Sequence, residues 1–167
     1  INKLNIINIG SSNNLNKNNI KNIGSYCNIN YTINSHEQNC GHAATGFTKT
    51  SNKKCVVLVT SGPGFTNTIT PILDATNDST PLVIISGQVS KNAIGTNAFQ
   101  EAPSVSLSKN VTKWSYEVNN IEELSTIIDK AYEIAYYGKR GAVHIDIPKC
   151  ISSGYIELTN DKYKEMF

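Results

Sequence analysis

Three short apolar runs limit the folds open to this chain. They are "KCVVLVT" (54–60), "PLVIIS" (81–86) and "GAVHIDIP" (141–148), all rich in Val and Ile. The first two lack the polar–apolar alternation of a half-exposed strand. A continuous β-branched run of this length belongs inside a parallel sheet that helices cover on both faces. "EQNCGHAATGFTKT" (37–50) places Ala43, Ala44 and Phe47 at helical spacing among small residues that permit close packing. "TNTITPILDATND" (66–78) reads as a second helix, with Pro71 in its early turns or at a kink. "NIEELSTIIDKAYEIAYYG" (120–138) is the clearest helix, its apolar positions stepping by three and four from Ile121 to Ala135. Asn120 suits its start, acids fill its first turn, and Gly138 suits its end. "VTKWSYEV" (111–118) alternates as a strand, and 87–110 reads as a long loop with one short helix. Strands and helices in alternation predict an α/β fold of three layers, α/β/α, around a mostly parallel central sheet.

Residues 1–35 differ in texture, being rich in Asn with Ile as almost the only large apolar type. Ile6 to Ile9 and Tyr26 to Ile33 suit two short strands, with "GSSNNLNKNN" as a loop between them. A length of 167 residues suits one domain with a real core. The formal charge of +2 gives no electrostatic case for nucleic acid or an anionic membrane. No apolar stretch approaches the roughly 20 residues that span a bilayer. The chain begins at Ile1, without a signal-peptide pattern, and reads as a piece of a longer protein. Cys27, Cys40, Cys55 and Cys150 follow no zinc or CxxC spacing. They read as buried thiols of a reducing compartment, the cytoplasm or a plastid-type organelle.

Three stretches have the residues for chemistry. In "VTSGPGFTN" a buried strand enters a Gly-Pro-Gly corner and a helix leaves it, so Ser61 and Gly62 lie at a strand's carboxyl end. Open α/β sheets bind ligands at such ends. A turn that needs glycine only for its dihedrals has the same sequence. The corner is no phosphate loop, since GxxxxGK[ST] and GxGxxG are both absent. In "SHEQNCGHAATG", Glu37 opens a helix that packs inward, where desolvation favours sharing a proton with a ligand nitrogen. A solvated acid that merely suits the helix dipole is the alternative. His36 and His42 are off the i, i+4 spacing of helical zinc pairs, so no metal site is expected. His144, alternating within a strand, reads as structural. In "AIGTNAFQEAP", Phe99, Gln100 and Glu101 make a loop able to line a cleft, and Lys113 on the next strand faces either that cleft or water.

Together, "HEQ…HAA.GF", "VVLVTSGPGFTNTITPILDATNDSTPLVIISGQV", "IGTNAFQE", "VTKWSYEV" and "GAVHIDIPK" closely resemble the N-terminal pyrimidine-binding domain of acetohydroxyacid synthases, the large catalytic subunits of acetolactate synthase. These are thiamine-diphosphate enzymes of branched-chain amino-acid synthesis. The resemblance covers 36–151, leaving 1–35 as a weakly matching part of the domain and 152–167 as a linker towards a missing central domain. It implies that Glu37 hydrogen-bonds the aminopyrimidine of thiamine diphosphate and that Gln100 lies at the active site. It places Ser61 and Gly62 beside the cofactor, and Phe99 and Lys113 along the substrate channel. Mg2+ and FAD belong to other domains of such enzymes. The implied partners are 2-keto acids, the diphosphate-binding domain of a second subunit in a homodimer or tetramer, and a regulatory subunit. The lone domain is expected to be inactive. The chain departs from the family pattern at Asn39, Thr45 and Asn92, and "INIGSS" is only a rough counterpart of the family's early turn. Another thiamine-diphosphate decarboxylase or lyase, a degenerate binding or regulatory domain, and a Rossmann-type nucleotide binder are the competing readings.

Overall fold

The three apolar runs lie side by side in the middle of a six-stranded sheet. The structure is a computed structural model that describes the backbone of residues 5–9 and all of residues 30–155. Its elements run β1 (Asn5–Ile9), β2 (Asn30–Thr32), α1 (Glu37–Ser51), β3 (Cys55–Val59), α2 (Pro63–Thr66), α3 (Ile69–Asn77), β4 (Leu82–Gln88), α4 (Ser104–Ser108), β5 (Trp114–Glu117), α5 (Leu124–Tyr136), β6 (Ala142–Pro148) and α6 (Lys149–Ser152). A 3-10 turn, Lys91–Ala93, follows β4. The sheet order is β2-β1-β3-β4-β6-β5 and every neighbouring pair is parallel. The expected layered α/β architecture is what the chain adopts.

Two cores flank the sheet. Val57, Val59, Leu82, Ile84 and Ala142 pack against Cys40 and Ala44 of α1 and Ile72 and Ala75 of α3. Val56, Val83, Val143 and Ile145 pack on the other face with Ile127, Ala131 and Ala135 of α5. Burying each Val, Leu or Ile contributes about 1.5–3 kcal/mol, which is why runs without polar breaks occupy the central strands. α1 approaches the sheet and α3 closely because its inner face is small: a Cβ added at Gly41 would lie 2.4 Å from the Pro71 ring.

The helix ends follow local chemistry. His36 caps α1, its Nδ1 accepting from the Gln38 N–H at 3.2 Å. Asn52 ends α1 in the left-handed conformation at φ 55°. Before α5, Asn120 and Glu123 form a reciprocal capping box: Asn120 Oδ1 accepts from the Glu123 N–H and Glu123 Oε1 accepts from the Asn120 N–H. The helix expected over 66–78 divides into α2 and α3, because Thr68 interrupts it and Pro71 then falls within the first turn of α3, where no N–H is required. Cys40 and Cys55 are fully buried. Cys150 is exposed, contrary to the sequence reading, because sheet pairing stops at Pro148 and the chain turns outward into α6. Cys27 and the "GSS" of "INIGSS" lie outside the described residues.

On the α1 face, alternate residues of β4 and β6 change character along the strands. Leu82, Ile84 and Ala142 are apolar; Ser86, Gln88, His144 and Asp146, nearer the carboxyl ends, are polar and buried. Polarity therefore gathers where β3 also ends in the Gly-Pro-Gly corner.

Candidate functional site

Glu37 is the first residue of α1 and its side chain is only 7% exposed. Asn67, at the end of α2, donates from Nδ2 to Glu37 Oε2 at 3.0 Å. Among the described residues no other group donates to this carboxyl. The second oxygen, Oε1, points to the corner: a Cβ added at Gly64 would lie 3.8 Å from it and 2.6 Å from Thr60 Cγ2. The glycine lets the turn pack against Thr60 with this carboxyl oxygen beside it. A carboxyl held at one oxygen, with no donor to the other among the described residues, can accept from an incoming N–H or share a proton with a ring nitrogen.

The corner itself is made by Gly62, which has φ 59° and ψ −117°, a conformation reserved for glycine. A Cβ there would lie 2.6 Å from the Gln100 carbonyl oxygen. The loop carrying Gln100 therefore lies directly on the turn. Gln100 is itself left-handed at φ 62°, as is Asn97 at φ 58°. Asn adopts this region readily, but in a glutamine such backbone persists only where neighbours enforce it. Glu101 supplies part of that enforcement, its carboxylate accepting from the Gly95 N–H at 2.5 Å and the Ala98 N–H at 3.0 Å. These backbone donors, that of Gly95 foremost, hold the Glu101 carboxyl below its usual range. Phe99 stands almost free in solvent, 89% exposed.

Beneath the turn runs a buried chain of polar groups. Ser86 donates to Asp146 Oδ1 at 2.5 Å and lies 2.7 Å from His144 Nε2; His144 Nδ1 lies 2.7 Å from Ser108 Oγ. Gln88 Nε2 donates to Asp146 Oδ2 at 3.0 Å and to the Ala102 carbonyl at 2.8 Å. Phe65 of α2 stacks on the imidazole, ring centroids 4.2 Å apart. Burial pushes His144 down to about 3, so it is neutral. Burial, aided by the charge of Glu117 and opposed by the Ser86 and Gln88 donors, pushes Asp146 up to about 6. With Asp146 ionised, both its donors are committed, Ser86 has one proton to give, and it must accept from Nε2–H. Nδ1 is then the acceptor for Ser108.

The structure thus brings Glu37, Ser61, Gly62 and Gln100 to one end of the sheet. Lys113 is elsewhere. It precedes β5, and Trp114 is level with Val143 near the amino end of β6. Its Nζ donates to the carbonyls of Ile134 and Tyr137, at the end of α5, where a cation offsets the helix dipole. Sequence reasoning missed Asn67, Gln88 and Asp146. Asn67 was legible in principle as a polar residue five positions past the corner glycine. Asp146 sits in a strand that reads as core and Gln88 in a stretch that reads as loop but extends β4, and only the sheet register shows that their polar groups meet.

Comparison with known proteins gives the family. The family model described as "Thiamine pyrophosphate enzyme, N-terminal TPP binding domain" matches residues 9–107. The chain is 48% identical over 127 residues to the mitochondrial acetolactate synthase of Schizosaccharomyces pombe, covering 76% of this chain and 19% of that protein. It is 42% identical over 133 residues to the acetolactate synthase large subunit of Lactococcus lactis, covering 80% of this chain and 23% of that one. With isozyme 1 of Escherichia coli, again a large subunit, identity is 43% over 130 residues, 78% of this chain and 23% of the relative. The chain spans about a fifth of the length of these curated relatives. A TPP-binding model that takes in the corner and the Gln100 loop, on a parallel sheet with a buried carboxyl opposite that corner, places this chain in the thiamine pyrophosphate enzyme family, as an N-terminal TPP-binding domain.

Proposed function

We propose that this domain serves an acetolactate synthase, in which Glu37 holds a proton at the pyrimidine ring of thiamine diphosphate. The observation that carries the reading is the buried Glu37 carboxyl, fixed at Oε2 by Asn67 and, among the described residues, without a donor at Oε1 beside Gly64. The residues fit the pyrimidine end of the cofactor. A heterocyclic N–H finds an acceptor in Glu37, while Gly62 and Gly64 let the Gln100 carbonyl and Thr60 pack directly on the turn beside that carboxyl. Thiamine diphosphate, when bound, supplies the electron sink that decarboxylates a 2-keto acid and joins the remainder to a second one. Ser61 and Gly62 border the ring, Gln100 contacts the reacting groups, and Phe99 flanks their approach. Lys113 is left out of this set, being at the far end of the sheet. The diphosphate, Mg2+ and FAD are held by other domains, and a second subunit completes the site. Among the described residues no cluster of His, Cys, Asp and Glu can hold a metal ion, and no helix is long and apolar enough to cross a membrane.

The test uses the full-length protein with pyruvate. Acetolactate forms with the native residue, and Glu37→Gln lowers kcat by on the order of 10²-fold or more, in line with the loss of a positioned proton-transfer group. Undiminished activity in Glu37→Gln refutes the role given to that residue. Decarboxylation of pyruvate without carboligation assigns the domain to another thiamine-diphosphate lyase instead.

A further inference from the structure

We infer that Gln88 is a positioning residue for Gln100, clamping its loop to the sheet through the Ala102 carbonyl while Asp146 holds the clamp in place. Gln88 is the last residue of β4 and is buried. Its amide is fully employed: Nε2 donates to the Ala102 carbonyl at 2.8 Å and to Asp146 Oδ2 at 3.0 Å, and Oε1 accepts from the Val89 N–H at 2.9 Å. Asp146 stands opposite Ser86 in the ladder between β4 and β6, and the strand that carries it is paired on both sides. The loop end is thus referred to the sheet by side-chain hydrogen bonds, two residues beyond Gln100.

Those two residues matter because Gln100 is strained. A left-handed non-glycine backbone relaxes unless its surroundings hold it. Glu101 closes the loop on itself, through the Gly95 and Ala98 N–H groups, but ties it to nothing else. Contact of the Gln100 carbonyl with Gly62 blocks movement towards the turn, and only that. Gln88 provides the restraint against movement away. Without it the loop keeps its shape and loses its height above the corner.

The consequence for catalysis rests on the proposed role of Gln100; the consequence for the loop does not. In the full-length protein, Gln88→Met keeps length and burial and removes both donors. Gln88→Asn keeps an amide but draws it back by one methylene, and serves should the Met variant not fold. Amide hydrogen exchange over 95–102 should quicken in either variant, while β4 and β6 stay as protected as in the native protein. kcat/KM for acetolactate formation should fall on the order of tenfold, as expected of a group displaced by a fraction of an ångström. In a Gln100→Ala background the same change at Gln88 should cost almost nothing more, because the residue being positioned is gone. Unchanged loop exchange overturns the inference whatever the reaction proves to be. Losses that multiply in the double variant also overturn it, since Gln88 then acts through something other than Gln100. If the native protein makes no acetolactate, the functional reading fails and the exchange measurement alone decides on the clamp.

Discussion

Asp146→Asn should make this protein's stability depend on pH where the native pair hides the dependence. In the unfolded chain His144 titrates near 6.5 and Asp146 near 3.8; in the folded one they titrate at about 3 and about 6. Between pH 4.5 and 5.5 the unfolded pair binds one proton, on His144. The folded pair also binds one, on Asp146. Stability changes with pH as the difference in bound protons, so this pair contributes almost no slope there. The individual signs are opposite. His144, depressed, contributes stability that is present above the unfolded value and is lost as pH falls towards 3. Asp146, raised, contributes stability that is present below 3.8 and is lost as pH rises through 6. The Asp146→Asn change removes the second and leaves the first, so unfolding free energy should rise by about 1.4 kcal/mol per pH unit relative to native. Urea titrations of both proteins at about pH 4.5, 5.0 and 5.5 measure the difference, and background from groups remote from the pair cancels. The introduced amide can satisfy the network, its oxygen accepting from Gln88 and its N–H donating to Ser86. Ser86 then gives its proton to His144 Nε2, and the ring proton moves to Nδ1, which nitrogen NMR of the imidazole detects. Parallel pH profiles for the two proteins would refute the assignment of a shared proton to this pair.

Two glycines give sharper tests of geometry. Gly62→Ala meets both a glycine-only dihedral pair and the Gln100 carbonyl at 2.6 Å, so it should cost about 2–5 kcal/mol and displace the 95–101 loop, read by thermal unfolding and by loop amide exchange. Gly41→Ala adds a good helix former inside α1 but drives its Cβ into the Pro71 ring; the clash of about 1–3 kcal/mol should outweigh the ~1 kcal/mol of helix propensity, and a raised Tm would show that α1 and α3 separate freely.

The architecture was legible because burial on two faces leaves a mark that burial on one does not. "VVLV" and "LVII" have no polar residue to spare, so they announced β3 and β4 in a covered parallel sheet. Glu37 and the corner were legible by position, one opening a helix and the other closing a strand. What they do together was not. Asn67, thirty residues from Glu37, looks like any helix-end asparagine until α2 folds over α1. Periodicity leaves Lys113 free to face cleft or water, because it gives a strand residue's face and not its height along the sheet.

Residue types alone determined the layered fold, the glycine corner and the presence of a carboxyl at a helix start, since each follows from local sterics and from how much water a stretch of chain tolerates. Only the tertiary structure decided which polar groups meet. Ser86, His144 and Asp146 sit in strands that read as core, Gln88 in a stretch that reads as loop but extends β4, and the parallel register of β4 with β6 is what sets their protons against one another. A hydrogen bond depends on ångströms between residues about sixty apart, and no periodicity within a strand carries that distance.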